Sequence, residues 1–211
     1  MAYSKRKGKW LTCYSVTSWF LVKSLPIVLL ILFTSCSSEK TEQETIVLDN
    51  NYSDYQPLNL TPHEIAAGLM IPDETAEIGA CLQREVLHEE GDFIWRITAG
   101  PNFFIEIEDW GDYKGIIANK KKELKKNKHF NVRFLIDEPN LIFYERTLVV
   151  KGNKNAPKTV GTPHTSFHVC GEFILEGVTY ELRTKPQGYR RHQRYYAEVV
   201  AKSIRSFKAL K

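Results

Sequence analysis

From Leu25 to Phe33 the chain reads Leu-Pro-Ile-Val-Leu-Leu-Ile-Leu-Phe, with no polar residue. Lys23 precedes this run, and Thr34, Ser35 and Cys36 close it. A membrane-spanning helix needs roughly 20 apolar residues. This run is about half that, the length of a signal-peptide core followed by small residues. Such a segment takes no part in a folded domain. Residues 1–35 are therefore expected to be removed, leaving 176 of the 211 residues to fold, enough for one domain with its own core. The competing reading is an uncleaved membrane helix over residues 16–35, with Lys23 snorkelling to the interface.

Removing that segment changes the meaning of the charge. The whole chain carries +4. Its first 35 residues hold five basic residues and no acid, so the remainder has 24 basic against 25 acidic residues. The apparent basicity is therefore no argument for a nucleic-acid partner, and none is expected. The remaining charge is unevenly placed: residues 36–111 hold 16 acidic and three basic residues, and residues 112–211 hold nine and 21. A basic half suits an anionic polymer or lipid headgroups. The plainer reading is solvated helix faces.

Residues 37–54 are polar and aperiodic and read as the main part of a flexible tether. Thr61-Pro62-His63-Glu64 has the form of a capping box with proline at the first helical position, so a short helix is expected there, stopped by Gly68. Leu69-Met70-Ile71 reads extended ahead of Pro72. Strands follow at Cys81–Leu87, Phe93–Ala99 and Phe103–Glu108, with turns at Glu89–Asp92 and Gly100-Pro101-Asn102. Residues 112–127 take a helical period, with Asp112 as the expected cap and lysines on the outer face. Strands return at 130–136 and Leu141–Val150. After a polar loop over 151–163, Thr165–Leu175 and Val178–Arg183 form a hairpin around Glu176-Gly177. An amphipathic helix closes the chain from about Tyr189 to Lys208.

This order implies an α+β domain over residues 61–211: a single antiparallel sheet of about six to seven strands with helices packed on one face. The signal peptide (1–35) precedes it, then a tether over 36–60.

The common catalytic signatures are absent: no HExxH, GxSxG, P-loop, CxxC or GxGxxG. Three constellations remain. His168 and Cys170 lie two apart on a strand, hence on one face, with His164 nearby, as metal ligands could be; an ordinary polar strand face is the alternative. Glu106, Glu108, Asp109 and Asp112 lie beside Trp110, where paired carboxylates could hold a cation or share a proton; the alternative is an outward strand face running into a helix cap. Tyr189, Arg190, Arg191, His192, Arg194, Tyr195 and Tyr196 mix basic and aromatic groups at a helix start. That composition suits an anionic or glycan partner, or a solvated face with snorkelling stems. Arginines there oppose the helix dipole, so a local acid should compensate, with Glu198 and Glu181 as candidates. Cys81 and Cys170 are an even pair in an oxidising compartment, either a disulfide or two small buried hydrophobes. A pocket between sheet and helices, lined by aromatics such as Trp95, Trp110, Phe134 and Tyr180, is a second possible site. The same aromatics are more simply read as core.

Phe33-Thr34-Ser35-Cys36 resembles the lipobox of bacterial lipoproteins, with Phe33 where that family usually has leucine. The resemblance implies lipid on the Cys36 sulfur, cleavage before Cys36 and acylation of the new amino terminus. Several acyl chains make such an anchor effectively permanent. Ser35-Cys36-Ser37-Ser38 is similar to the signals of uncharacterised Bacteroidota lipoproteins. The element order over about residues 65–208, with Lys202-Ser203-Ile204-Arg205-Ser206-Phe207 in the closing helix, resembles the PsbP/DcrB-like fold. These likenesses imply an outer-membrane lipoprotein facing the periplasm or the cell surface. Its only cofactor would be the covalent lipid, and it would carry no metal. Its partners would be the membrane, through the anchor, and an envelope protein or anionic envelope polymer. A non-catalytic binding module is expected ahead of a small-ligand or metal-binding domain, and a hydrolase comes last.

Overall fold

The computed structural model describes residues 45–79, 84–89, 91–149, 165–184 and 193–210. All of them fall in one compact unit, Gln43–Lys211. Residues 1–35, expected to be a signal peptide, and Cys36 lie outside the described residues, as do Cys81, His164, Tyr189, Arg190, Arg191 and His192.

The fold is mostly β with two helices, in keeping with the α+β class. Its strands are β1 (Tyr55–Asn59), β2 (Ala67–Pro72), β3 (Arg84–His88), β4 (Ile94–Ala99), β5 (Phe104–Asp109), β6 (Phe130–Asp137), β7 (Leu141–Leu148), β8 (Thr165–Leu175), β9 (Val178–Arg183) and β10 (Lys208–Ala209). Helix α1 (Ile116–Lys126) lies between β5 and β6, and α2 (Arg194–Arg205) between β9 and β10. Seven strands form an antiparallel sheet in the order β3-β4-β5-β9-β8-β7-β6. The hairpin at Glu176-Gly177 stands where the turn residues put it, with both in left-handed backbone.

Two features of the expected architecture need correction. First, the sheet is not single. β1, β2 and β10 form a separate antiparallel sheet with β2 at its centre. Its first strand lies inside the segment expected to be tether. Instead of the helix expected after Thr61, residues Thr61–His63 make one 3-10 turn that ends at Glu64 in left-handed backbone. The reason is reach. Asn59 must pair with Gly68, and Leu60 and Ile65 between them are both fully buried. Two anchors that close leave no room for a helix. Gly68 therefore sits in a strand, and a Cβ there would meet the Leu58 carbonyl at 3.0 Å.

Second, the helices do not share a face. Leu141, Phe143 and Val169 belong to the main core with Val200 and Ile204 of α2. Their neighbours Ile142, Tyr144 and Cys170 belong to a second cluster with Ile117 and Leu124 of α1. Successive strand residues point to opposite sides, so α1 and α2 cover opposite faces of the large sheet. α2 carries the wider apolar face, burying Ala197, Val200, Ala201 and Ile204, and it packs between the large sheet and β2. α1 buries only Ile116, Ile117 and Leu124, and its outer face is lysine. Each fully buried large side chain contributes about 1.5–3 kcal/mol, so the α2 face carries most of the core.

Candidate functional site

The face of the large sheet that carries α1 is apolar under the helix and charged beside it. The register explains the charged part. Arg96, Glu106, Arg183 and Cys170 stand in one row across β4, β5, β9 and β8. Glu108, Glu181 and Glu172 stand in the next row. Like charges directly opposite one another destabilise a sheet, so that acidic row needs partners, and two devices supply them.

Arg183 is the first. Its Nη2 lies 2.6 Å from Glu106 Oε1, and its Nη1 lies 2.6 Å from both Glu108 Oε2 and Glu181 Oε2. Arg96 Nε adds a longer contact to Glu106 Oε2 at 3.6 Å. Glu106 is 0 % exposed and Glu181 4 %. Burial pulls the Arg183 guanidinium down, but its hydrogen bonds to Glu106 and the fields of Glu181, Glu108 and Glu106 more than reverse this, and its pKa lies above the ordinary value. A carboxylate without that cation would be costly at such burial.

The second device is a cap at a distance. Glu172 accepts Gly115 N–H at 2.7 Å and Ile117 N–H at 3.0 Å. It closes the open first turn of α1, and its charge suits the positive end of the helix. Asp112, the expected cap, lies outside the helix, whose cap position is Gly115 in left-handed backbone with no side-chain bond of its own.

Between α1, the turn after β5 and β9 lies a cleft of about 210 Å³. Glu181 and Arg183 line its floor, and Lys120 and Glu123 its wall on α1. Trp110 and Tyr113 stand at its edge, 40 % and 46 % exposed, with ring centroids 5.6 Å apart. Asn119 donates to the Tyr113 hydroxyl at 2.7 Å. Trp110 N–H donates to Thr179 O at 2.9 Å and Thr179 N–H to Gly111 O at 2.7 Å, which tie the turn to β9. Among the described residues, Lys120 and Glu123 make no side-chain hydrogen bond or ion pair.

Cys170 lies behind the floor. It is a free, buried thiol that donates to Glu181 Oε1 at 3.1 Å. Burial, then the nearby charge of Glu181 and that hydrogen bond, push its pKa well up, so it stays neutral and is a poor nucleophile. His168 shares its face but stacks on Tyr144 at 5.3 Å and bonds the Ser166 hydroxyl at 2.9 Å. No group of three His, Cys, Asp or Glu among the described residues is arranged to hold a metal ion.

The basic-aromatic segment is described only from Gln193. Arg194 Nε pairs with Glu198 at 2.8 Å, one turn on, the compensation expected of Glu198; Glu181 serves Arg183 instead. Tyr195 donates its hydroxyl to Ala76 O at 2.9 Å. It borders a larger groove of about 480 Å³. Several of its polar groups are bonded within the molecule. Lys202 pairs with Asp49 and lies 5.1 Å over the Tyr55 ring, and the Tyr55 hydroxyl donates to Val199 O at 3.4 Å.

Of the acidic group near Trp110, Glu106 and Glu108 join the Arg183 cluster. Asp109 accepts Gly111 N–H at 2.7 Å. Of the four aromatics expected to line a pocket, Trp110 lines this cleft. Trp95 is core, donating to His63 O at 2.7 Å. Tyr180 packs edge-on to Phe207, and Phe134 packs under α1. Arg183, Lys120 and Glu123 were not among the expected site residues, and Glu181 was expected only as a partner for the arginines at the start of α2. Glu181 and Arg183 alternate with Tyr180 and Leu182, so their shared face was readable; their partners on β5 were not.

No family model matches the chain, and no curated protein is significantly similar to it.

Proposed function

We propose that the protein is a lipid-anchored envelope lipoprotein, and that its domain is a non-catalytic binding module whose ligand site is the cleft between α1 and β9. The lipobox-like close of the apolar run at Cys36 supports the anchor and an outer-membrane address. The α+β element order supports a PsbP/DcrB-like scaffold, at the level of order alone.

One observation carries the binding reading. The charges of the cleft floor satisfy one another around Arg183, while Lys120 and Glu123 on its wall have no side-chain partner among the described residues. Ligand sites are concave surfaces with a few placed polar groups that fix orientation, and Lys120 and Glu123 beside the Trp110 and Tyr113 rings supply such groups here. The neutral Cys170 thiol behind it favours binding over covalent chemistry.

Two measurements test this. Fatty-acid labelling in cells is expected to mark the protein and to be lost in Cys36→Ala. A photoreactive residue at Tyr113 is expected to trap an envelope component that the same residue at Val47 does not. Equal trapping at both positions, or none at either, overturns the cleft as the site.

A further inference from the structure

We infer that the cleft between α1 and β9 takes a neutral sugar ring, seated on the face of Trp110. This rests on the binding reading above and adds the chemical class of the ligand.

The charge balance comes first. Lys120 and Glu123 on the wall carry opposite charges, and on the floor Arg183 is shared by Glu181, Glu106 and Glu108. A simple anion entering the cleft would meet the carboxylates of Glu123 and Glu181, and a simple cation would meet the Lys120 ammonium. A ring of hydroxyls is suited to both kinds of group, because each hydroxyl donates one hydrogen bond and accepts two. Lys120 supplies donors, Glu123 supplies acceptors, and Glu181 keeps lone pairs beyond those taken by Cys170 and Arg183.

The aromatic edge comes second. Two large rings, 40 % and 46 % exposed, stand together at the mouth of the cleft. The Tyr113 hydroxyl accepts from Asn119, and the turn that carries Trp110 is tied to β9 by its backbone pairing with Thr179. The face of an aromatic ring is electron-rich. The C–H groups on one face of a pyranose form a flat, slightly positive surface that such a ring can cover, while its hydroxyls point outward to polar groups. An amino-acid zwitterion satisfies the charge balance but brings no such apolar face to the rings. Size comes third. At about 210 Å³ the cleft falls below the ~300–1,000 Å³ of sites for drug-sized ligands, which restricts it to about one ring.

The test uses the detergent-solubilised full-length protein and saturation-transfer NMR, whose readout does not depend on tryptophan. The probes are D-glucose, D-galactose, D-mannose and N-acetyl-D-glucosamine, with glycine betaine and sodium phosphate as zwitterion and anion. Saturable transfer to the ring protons of at least one sugar is expected. Trp110→Ala should weaken it about tenfold or more, and Trp110→Phe, which keeps an aromatic face, by much less. Unfolding midpoints of both variants show whether the fold is intact. Saturable binding of glycine betaine or phosphate with no sugar binding overturns the sugar class. So does sugar binding that Trp110→Ala leaves unchanged. If no sugar binds while Tyr113 still traps an envelope component, the class is wrong and the site stands. If both are silent, both readings fall.

Discussion

Arg183 holds three carboxylates on one guanidinium, two of them almost fully buried. Removing one partner of a buried ion cluster is far worse than never having built it. Arg183→Ala is therefore expected to cost about 3–5 kcal/mol, because Glu106 and Glu181 lose their 2.6 Å contacts to its guanidinium. Adding Glu106→Gln should recover part of that loss, and a denaturant series on the two variants measures both. If Arg183→Ala unfolds at the same denaturant concentration as the parent, the cluster is not what stabilises this face. Tyr144 gives a second handle. Burial, then the nearby Cys170, push its hydroxyl from 10.0 up to about 12. The unfolded chain ionises first as pH rises past 10, so the folded state holds more protons there. This contribution is intact below pH 10 and is lost as pH climbs toward about 12. Tyr144→Phe should therefore flatten the alkaline fall in unfolding midpoint. An unchanged fall would show that Tyr144 does not cause it.

At the scale of elements, α1 is the informative case. It has no side-chain cap of its own and a lysine-rich body; a narrow apolar stripe packs it on the sheet, and Lys121 ties it to Asp137 and the Glu138 carbonyl. Its first turn depends on Glu172, which belongs to β8. Glu172→Ala is expected to destabilise by about 0.5–2 kcal/mol, the usual worth of a cap. Because α1 forms one wall of the cleft, amide exchange over residues 115–119 should quicken more than exchange in α2. Equal protection in both proteins would show that the cap does not hold the helix. The same dependence explains how the helix was read. Its period and lysine face were visible in the residues, but Asp112 was the only nearby cap, and the true one lies 57 positions away from Gly115.

For the whole molecule, the question is where the domain begins. Leu58 and Leu60 are part of the main core, and β1 covers one edge of β2. Upstream of it, Ile46 N–H bonds Leu135 O at 2.9 Å, and Arg205 reaches Glu138 and the Leu48 carbonyl. A chain beginning at residue 61 would expose that core and leave the β2 edge open to pairing between molecules. It is expected to unfold at lower denaturant than a chain beginning at residue 43, and to aggregate. Equal midpoints and equal light scattering would restore the boundary at 61. Residues 45–60 look like tether because Asn50, Asn51, Ser53 and Asp54 dominate them. Leu58 and Leu60 are too few to show a period before their partners are known.

Local repetition settles the type of an element, because alternation and helical spacing repeat every two to four residues and depend only on near neighbours. That is why the strands from β4 to β9, the Glu176-Gly177 hairpin and the amphipathic face of α2 were legible in the amino-acid order alone, whereas β10 stands where the closing helix was expected to end. Which strand lies beside which depends on contacts summed over the whole sheet. β5 pairs with β9, so Glu106 meets Arg183 across 77 positions, and nothing local to either residue announces the other. The opposite faces taken by α1 and α2, the second sheet, the distant cap and the cleft likewise rest on contacts between residues far apart in the chain. The residues alone determined a strand-rich domain with helices of known polarity; only the tertiary packing brought its charges and exposed aromatic rings into one site.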